Sequence, residues 1–199
     1  MTGALIVFAR EPRTGKVKTR LAATVGETAA ADVYAQLLSR SLSIAERSRF
    51  PARYLFAADS EEIDYFAGRL ATDLWEVRTQ CQGDIGQRMQ HAIELVLRRH
   101  QFVVLVGSDV ADSRTMDLDR AWTLLSSHSK SAVVGPSVDG GYWLIGLCKS
   151  EPMIFRGIPW STDRVFQTTI ARLGGLGLEV ACLVPRHDVD EAEDLCHMV

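Results

Sequence analysis

Many familiar catalytic signatures are missing from this chain. It has no C-x-x-C pair, no His pair at helical spacing, no Gly-x-Ser-x-Gly elbow and no Walker A loop. The four cysteines, Cys81, Cys148, Cys182 and Cys196, stand far apart. That argues against a zinc cluster or a disulfide framework and predicts reduced thiols in a cytoplasmic protein. His91, His100, His128, His187 and His197 are scattered, so a zinc protease or a His-ligated metal is not expected, and without the serine elbow neither is that type of hydrolase triad.

Long apolar runs are also missing, which predicts no membrane span. The opening Met-Thr-Gly-Ala-Leu-Ile-Val-Phe has no basic segment before its short apolar run, and it predicts a first strand rather than a signal peptide. Low-complexity stretches, linkers and repeats are absent, so residues 1–199 are expected to form a single domain. There is no basic surplus either. With 22 Lys and Arg against 25 Asp and Glu, the net charge is -3, which lacks the broad positive field that nucleic-acid binding uses. What is present is 47% hydrophobic and 24% charged, a globular balance in which a chain of this size buries roughly 70% of its unfolded surface.

Short β-branched runs alternate with segments of helical period. The runs are 4–9, 52–58, 74–78, 102–107, 132–135, 142–147 and 178–184, and helices are predicted at 27–47, 60–70, 85–99, 116–128 and 162–173. Such alternation predicts an α/β protein, a three-layer α/β/α sandwich with a Rossmann-like, mostly parallel sheet of about seven strands. In the third helix Ile85, Met89, Ala92, Ile93 and Val96 form one apolar stripe, and Asp84 with Gln87 reads as a capping box. Only Pro136 to Gly141 separates the fifth and sixth runs, too few residues for a crossover helix, so antiparallel pairing is predicted there. In such folds ligands sit beyond the carboxyl ends of the strands.

The residues at those ends are polarised in charge. After the first strand come Arg10, Arg13, Lys16, Lys18 and Arg20 against a single Glu11, whereas Asp188, Asp190, Glu191, Glu193 and Asp194 follow the last. Gly15 lets backbone N–H groups approach an anion while Lys16, Lys18 and Arg20 supply charge, although the composition also suits a solvated loop. Gly83, Asp84 and Gly86 lead into a helix start with Arg88 one turn in, a plausible nucleotide cradle or simply a cap with turn glycines. After the fourth strand comes Gly107-Ser108-Asp109. A carboxylate at the end of a buried strand is costly unless ligated or hydrogen-bonded, and Mg²⁺ is a natural partner, a capping role being the other reading. Asp139 precedes two glycines in what is also a hairpin signal. Asp188 and Asp190 are candidates for a second metal-binding carboxylate, with the neighbouring acids read as an exposed helix start.

Taken together these segments resemble an uncharacterised bacterial glycosyltransferase-like, selenodomain-associated transferase family of the nucleotide-diphospho-sugar transferase (GT-A) superfamily. The resemblance rests on FAREPRTGKVKTRL at 8–21, QGDIGQRM at 82–89, GSDVAD at 107–112, GPSVDGGYWLIGL at 135–147, WST at 160–162 and DVDEAEDL at 188–195. Joint occurrence in this order is far more specific than any one block. One block departs: Val110-Ala111 stands where the family has Cys-Pro, so the proline that would stiffen the turn after Asp109 is absent.

The resemblance implies a nucleotide bound across the sheet's carboxyl edge, Mg²⁺ or Mn²⁺ on Asp109 and, by correspondence with related nucleotidyltransferases, Asp190. Gly15, Lys16, Gly83, Asp84, Gly86, Arg88 and Ser108 would bind the nucleotide. Lys18 and Arg20 would neutralise the leaving group, and Asp139 would hold or deprotonate an unknown acceptor in a pocket shaped by Tyr142, Trp160 and Thr162. The expected activity is glycosyl transfer from a nucleotide sugar. The alternatives are nucleotidyl transfer from an NTP with release of pyrophosphate, and non-catalytic nucleotide binding.

Overall fold

A computed structural model describes residues 2–127 and 131–198. Seven strands form one sheet: β1 (Gly3–Ala9), β2 (Ala52–Ala57), β3 (Glu76–Thr79), β4 (Phe102–Val106), β5 (Ser131–Pro136), β6 (Tyr142–Leu147) and β7 (Glu179–Cys182). Their order is β3-β2-β1-β4-β6-β5-β7. All pairings are parallel except those of β6, which runs antiparallel to both β4 and β5. The short 136–141 connection therefore does what its length predicts. It also returns the start of β6 to the edge where β1, β2 and β4 end.

Alternation along the central strands decides the layering. Leu5, Val7 and Ala9 of β1 and Val104 and Val106 of β4 face one side, where Leu38, Ile44, Leu118 and Leu125 cover them. Ala4, Ile6, Val103 and Leu105 face the other, against Met89, Ile93, Val96 and Leu173. The helices on the first side are α2 (Glu27–Arg47) and α5 (Thr115–Ser127), and those on the second are α4 (Ile85–Leu97) and α6 (Val165–Gly175). Both faces of β1 and β4 are thus buried, as their unbroken apolar runs require.

Several boundaries differ from the sequence expectation. The segment Thr19–Val25 forms a helix, α1, where a loop was expected. Its Leu21 is fully buried, and it packs on α2 across the single hinge residue Gly26 at φ 87°. The 60–70 helix is a 3₁₀ turn followed by the short α3 (Ile63–Ala67). The third strand begins at Glu76 rather than Leu74, because 72–74 turn and leave Leu74 exposed. The last residue of the helix expected at 116–128, His128, lies outside the described residues. The Asp84–Gln87 capping box forms as expected, with Gln87 N donating to Asp84 Oδ1 at 2.8 Å and Asp84 N to Gln87 Oε1 at 2.9 Å. Cys81, Cys182 and Cys196 are free thiols. Among the described residues no helix is long and apolar enough to cross a membrane.

Candidate functional site

The strand ends open onto a cleft of about 760 Å³. Twelve of the expected site residues line it: Lys16, Lys18, Arg20, Arg88, Ser108, Asp109, Asp139, Asp188 and Asp190, with Tyr142, Trp160 and Thr162 of the acceptor pocket. The basic loop and the acidic tail do meet. Lys18 Nζ donates to Asp109 Oδ2 at 3.0 Å and to Asp190 Oδ1 at 2.9 Å, while Arg20 reaches Asp190 at 3.9 Å. The Lys18 side chain is 6% exposed, whereas those of Asp109 and Asp190 are 41% and 48% exposed. Burial would push the Lys18 ammonium toward neutrality, but the charges of Asp109 and Asp190 outweigh it and raise its pKa.

The backbone of Lys18 is unusual as well. It sits at φ 47°, ψ 50°, in the left-handed region, immediately before α1. Among the described residues only Ser161, at φ 62°, shares this among non-glycines, and it too lines the cleft. Such conformations cost free energy and concentrate at functional sites.

The acidic side of the cleft is held by the chain's tail. Val110 forms an antiparallel bridge with Asp188, Ala111 N donates to His187 O at 2.8 Å, and Val189 N donates to Asp109 O at 3.1 Å. Val110 and Ala111, each 1% exposed, are thereby fixed without a proline. Beneath them Arg186 donates to both oxygens of Asp117 at 2.8 Å and to Asp112 at 3.5 Å. Asp112 in turn accepts from His187 N at 3.0 Å. Asp190 is oriented from its other side, because Asp194 Oδ2 accepts from the backbone N–H groups of Asp190 and Glu191 at 2.9 and 2.8 Å. The acids after Asp190 thus lead into the 3₁₀ helix Ala192–His197.

One contributor was passed over in the sequence. Tyr34 of α2 shares its hydroxyl with Ser108 Oγ at 2.8 Å and accepts from Arg10 N at 2.9 Å, tying together the ends of β1 and β4. A buried tyrosine seeks such partners, but nothing in the sequence pairs it with Ser108. Asp188 lines the cleft with Oδ1 buried and without a hydrogen-bond partner. Burial, followed by the charge of Asp109, pushes its pKa up to about 8.

The opposite wall is aromatic. Tyr142 and Trp160 meet edge to face at 6.4 Å, and burial pushes the Tyr142 hydroxyl up. Trp160 lies over Gly86, where a Cβ would stand 2.6 Å from the indole. Asp139 Oδ1 accepts from Gly141 N at 2.9 Å, and at Gly140, φ 90°, a Cβ would stand 2.3 Å from the backbone oxygen of Asp163. Four expected residues lie outside the lining: Gly15 at φ 73°, Gly83 at φ 123°, the cap Asp84, and Gly86 beneath the indole. Arg88 faces the cleft while its Nε donates to Gly83 O at 2.9 Å.

The donor chemistry suits a hard divalent cation. Asp109 and Asp190 offer exposed carboxylate oxygens, and the unpartnered Asp188 oxygen lies on the same cleft. Among the described residues no three His, Cys, Asp or Glu side chains form a ready-made metal cluster. A cation would therefore take one or two carboxylates and complete its shell with water or phosphate oxygens, as Mg²⁺ commonly does.

Residues 42–162 match the family described as uncharacterized protein conserved in bacteria (DUF2064). The chain belongs to this family. No curated protein matches it. Among solved structures it is similar to a proposed nucleotide-diphospho-sugar transferase from Desulfovibrio desulfuricans, with 32% identity and a TM-score of 0.90 over 98% of this chain and 85% of that one. Two further likenesses, at low identity, speak for the fold alone. CMP:2-keto-3-deoxy-manno-octonic acid synthetase complexed with CTP has 8% identity and a TM-score of 0.62 over 98% of this chain and 95% of that one. A manganese complex from Mycobacterium tuberculosis has 16% identity and a TM-score of 0.58 over 100% and 98%. The fold of this DUF2064 member is that of the nucleotide-diphospho-sugar transferases.

Proposed function

We propose that this DUF2064 protein is a metal-dependent transferase that takes a nucleotide sugar as donor and passes the sugar to an acceptor held on the aromatic side of the cleft. The observation that carries the reading is the convergence of Lys18, Asp109 and Asp190 at the sheet's carboxyl edge, with Lys16, Arg20 and Arg88 around them. Cations suited to phosphates stand beside carboxylates suited to a metal. The similarity to the Desulfovibrio desulfuricans structure supports the same donor class.

Asp109 and Asp190 would hold Mg²⁺ or Mn²⁺, which when bound supplies charge stabilisation for phosphate oxygens. Lys16 and the loop at Gly15 would hold the diphosphate, and Lys18 with Arg20 would neutralise the charge that grows on it as the sugar departs. Ser108, hydrogen-bonded to Tyr34, would help position the neighbouring Asp109. Gly83, Asp84 and Gly86 support the site indirectly, since they start α4 and place Arg88 and Trp160. Asp139, fixed by Gly141 N, would accept the proton of an acceptor hydroxyl between Tyr142, Trp160 and Thr162.

A second reading, nucleotidyl transfer, is favoured by the exposed Lys16 and Arg20, which lengthen the cationic track enough to suit a triphosphate. Product analysis separates the two. The protein is incubated with nucleotide sugars or with NTPs, each with Mg²⁺ or Mn²⁺ and a pool of candidate acceptors. Release of a nucleoside diphosphate supports glycosyl transfer, and release of pyrophosphate supports the second reading. Nucleotide binding with no turnover of any donor would overturn both.

A further inference from the structure

The ammonium of Lys18 occupies the space between the two carboxylates best placed to take a cation. It is 3.0 Å from Asp109 and 2.9 Å from Asp190, and its side chain is almost fully buried, unlike those of its loop neighbours Lys16 and Arg20. Its backbone is held in the left-handed region at the first turn of α1, where Ala22 N donates to Lys18 O at 2.8 Å. The lysine therefore takes one oxygen of each carboxylate, Asp109 Oδ2 and Asp190 Oδ1. A divalent cation bridging the pair through these oxygens, at close to 2 Å from each, would have to take the place of the ammonium wedged between them.

We propose that Lys18 is a resident counter-ion that competes with a divalent cation for Asp109 and Asp190, so that the metal enters only when the ammonium swings out of the pair. The proposal rests on the metal-binding reading above and adds a condition to it. The free protein is then a poor metal binder, and a phosphate-bearing ligand, by offering Lys18 another anionic partner, makes the carboxylates available. Metal and ligand thereby favour one another's binding through one side chain, and that coupling is reciprocal. Lys18 stays charged throughout, since it exchanges one set of anionic oxygens for another.

The test is calorimetric titration of manganese chloride alone, without nucleotide, into the wild type and four variants. Lys18→Met removes the ammonium. Lys18→Asn does so with a residue that tolerates left-handed backbone, should methionine disturb the turn. Arg20→Met removes a neighbouring positive charge that does not lie between the carboxylates, and Asp109→Asn in the Lys18→Met background removes a ligand.

The expected result is that one or both Lys18 variants bind Mn²⁺ at least about tenfold more tightly than the wild type, a factor ordinary for coupled sites. Arg20→Met should gain much less, and Asp109→Asn should abolish the gain. Equal or weaker Mn²⁺ affinity in the Lys18 variants, with Asp109→Asn still removing binding, overturns the competition and leaves the metal site standing. An equally large gain in Arg20→Met overturns it too, because general electrostatics would then account for the effect. Absence of Mn²⁺ binding in every variant, or binding indifferent to Asp109, overturns both the competition and the metal-binding reading.

Discussion

The guanidinium of Arg186 donates to both carboxylate oxygens of Asp117 at 2.8 Å, joining the tail of the chain to the first turn of α5. Both side chains are about one-tenth exposed. The same arginine anchors the backbone on either side: its N–H donates to Pro136 O and its carbonyl accepts from Val138 N, each at 3.0 Å. The turn carrying Asp188 and Asp190 is therefore fixed to the turn carrying Asp139 by a residue outside the chemistry.

Breaking this pair leaves a buried charge without compensation. Arg186→Met should cost about 3–5 kcal/mol of stability, a fall in melting temperature of roughly 6–20 °C for a chain of this size. Thermal unfolding followed by circular dichroism measures it. A fall of under about 2 °C would mean that Asp117 finds another partner.

Asp112 gives the tail a pH dependence of known sign. Burial tends to raise its pKa, but hydrogen bonds from His187 and the charge of Arg186 outweigh that and hold it below the ordinary 3.8. A carboxylate whose pKa is depressed by folding stabilises the fold above its unfolded pKa, and that contribution is lost as the pH falls through the folded value. Wild type should therefore melt higher than Asp112→Asn at pH 6, with the difference shrinking below about pH 4. Melting curves of both proteins between pH 2 and pH 7 provide the check, and a difference that grows toward acid would contradict it.

Gly140 and Gly157 separate local strain from packing. Both have positive φ, 90° and 58°, but a Cβ at Gly157 meets open space while one at Gly140 collides with the Asp163 backbone. Gly157→Ala should cost only the backbone penalty, of order 1 kcal/mol. Gly140→Ala should cost clearly more and should displace Asp139 and the 160–164 segment together. Chemical denaturation gives the first quantity, and amide exchange at residues 137–141 and 160–166 gives the second. Equal losses of stability would remove the packing argument.

The sheet was legible because its strands are apolar runs bounded by turns, and even the reversed β6 could be read from a connection too short for a crossover. The lateral order was not, since nothing local places β4 beside β1 or β5 beside β7. Helix α1 was missed because Lys16, Lys18 and Arg20 crowd its start and Gly26 ends it, masking the Leu21 and Val25 that face inward and partly inward. The residue types of the site were readable from the strand ends, but its central contacts span 91 and 172 positions of sequence. Only the fold could reveal that Lys18 pairs with both acids. Gly86 is the clearest case of a residue noticed for one reason and placed by the structure for another. It was expected in a nucleotide cradle or as a turn glycine, and the structure finds it under the ring of Trp160, outside the cleft lining.

The most direct test of the proposed function is calorimetric binding of UDP, GDP, CDP and ADP, each with and without Mn²⁺, to the wild type and to Asp109→Asn. At least one nucleotide should bind the wild type in a Mn²⁺-dependent manner, and Asp109→Asn should lose that dependence. No binding of any of the four, or binding unchanged in Asp109→Asn, would contradict a metal-dependent nucleotide site at the meeting point of Lys18, Asp109 and Asp190.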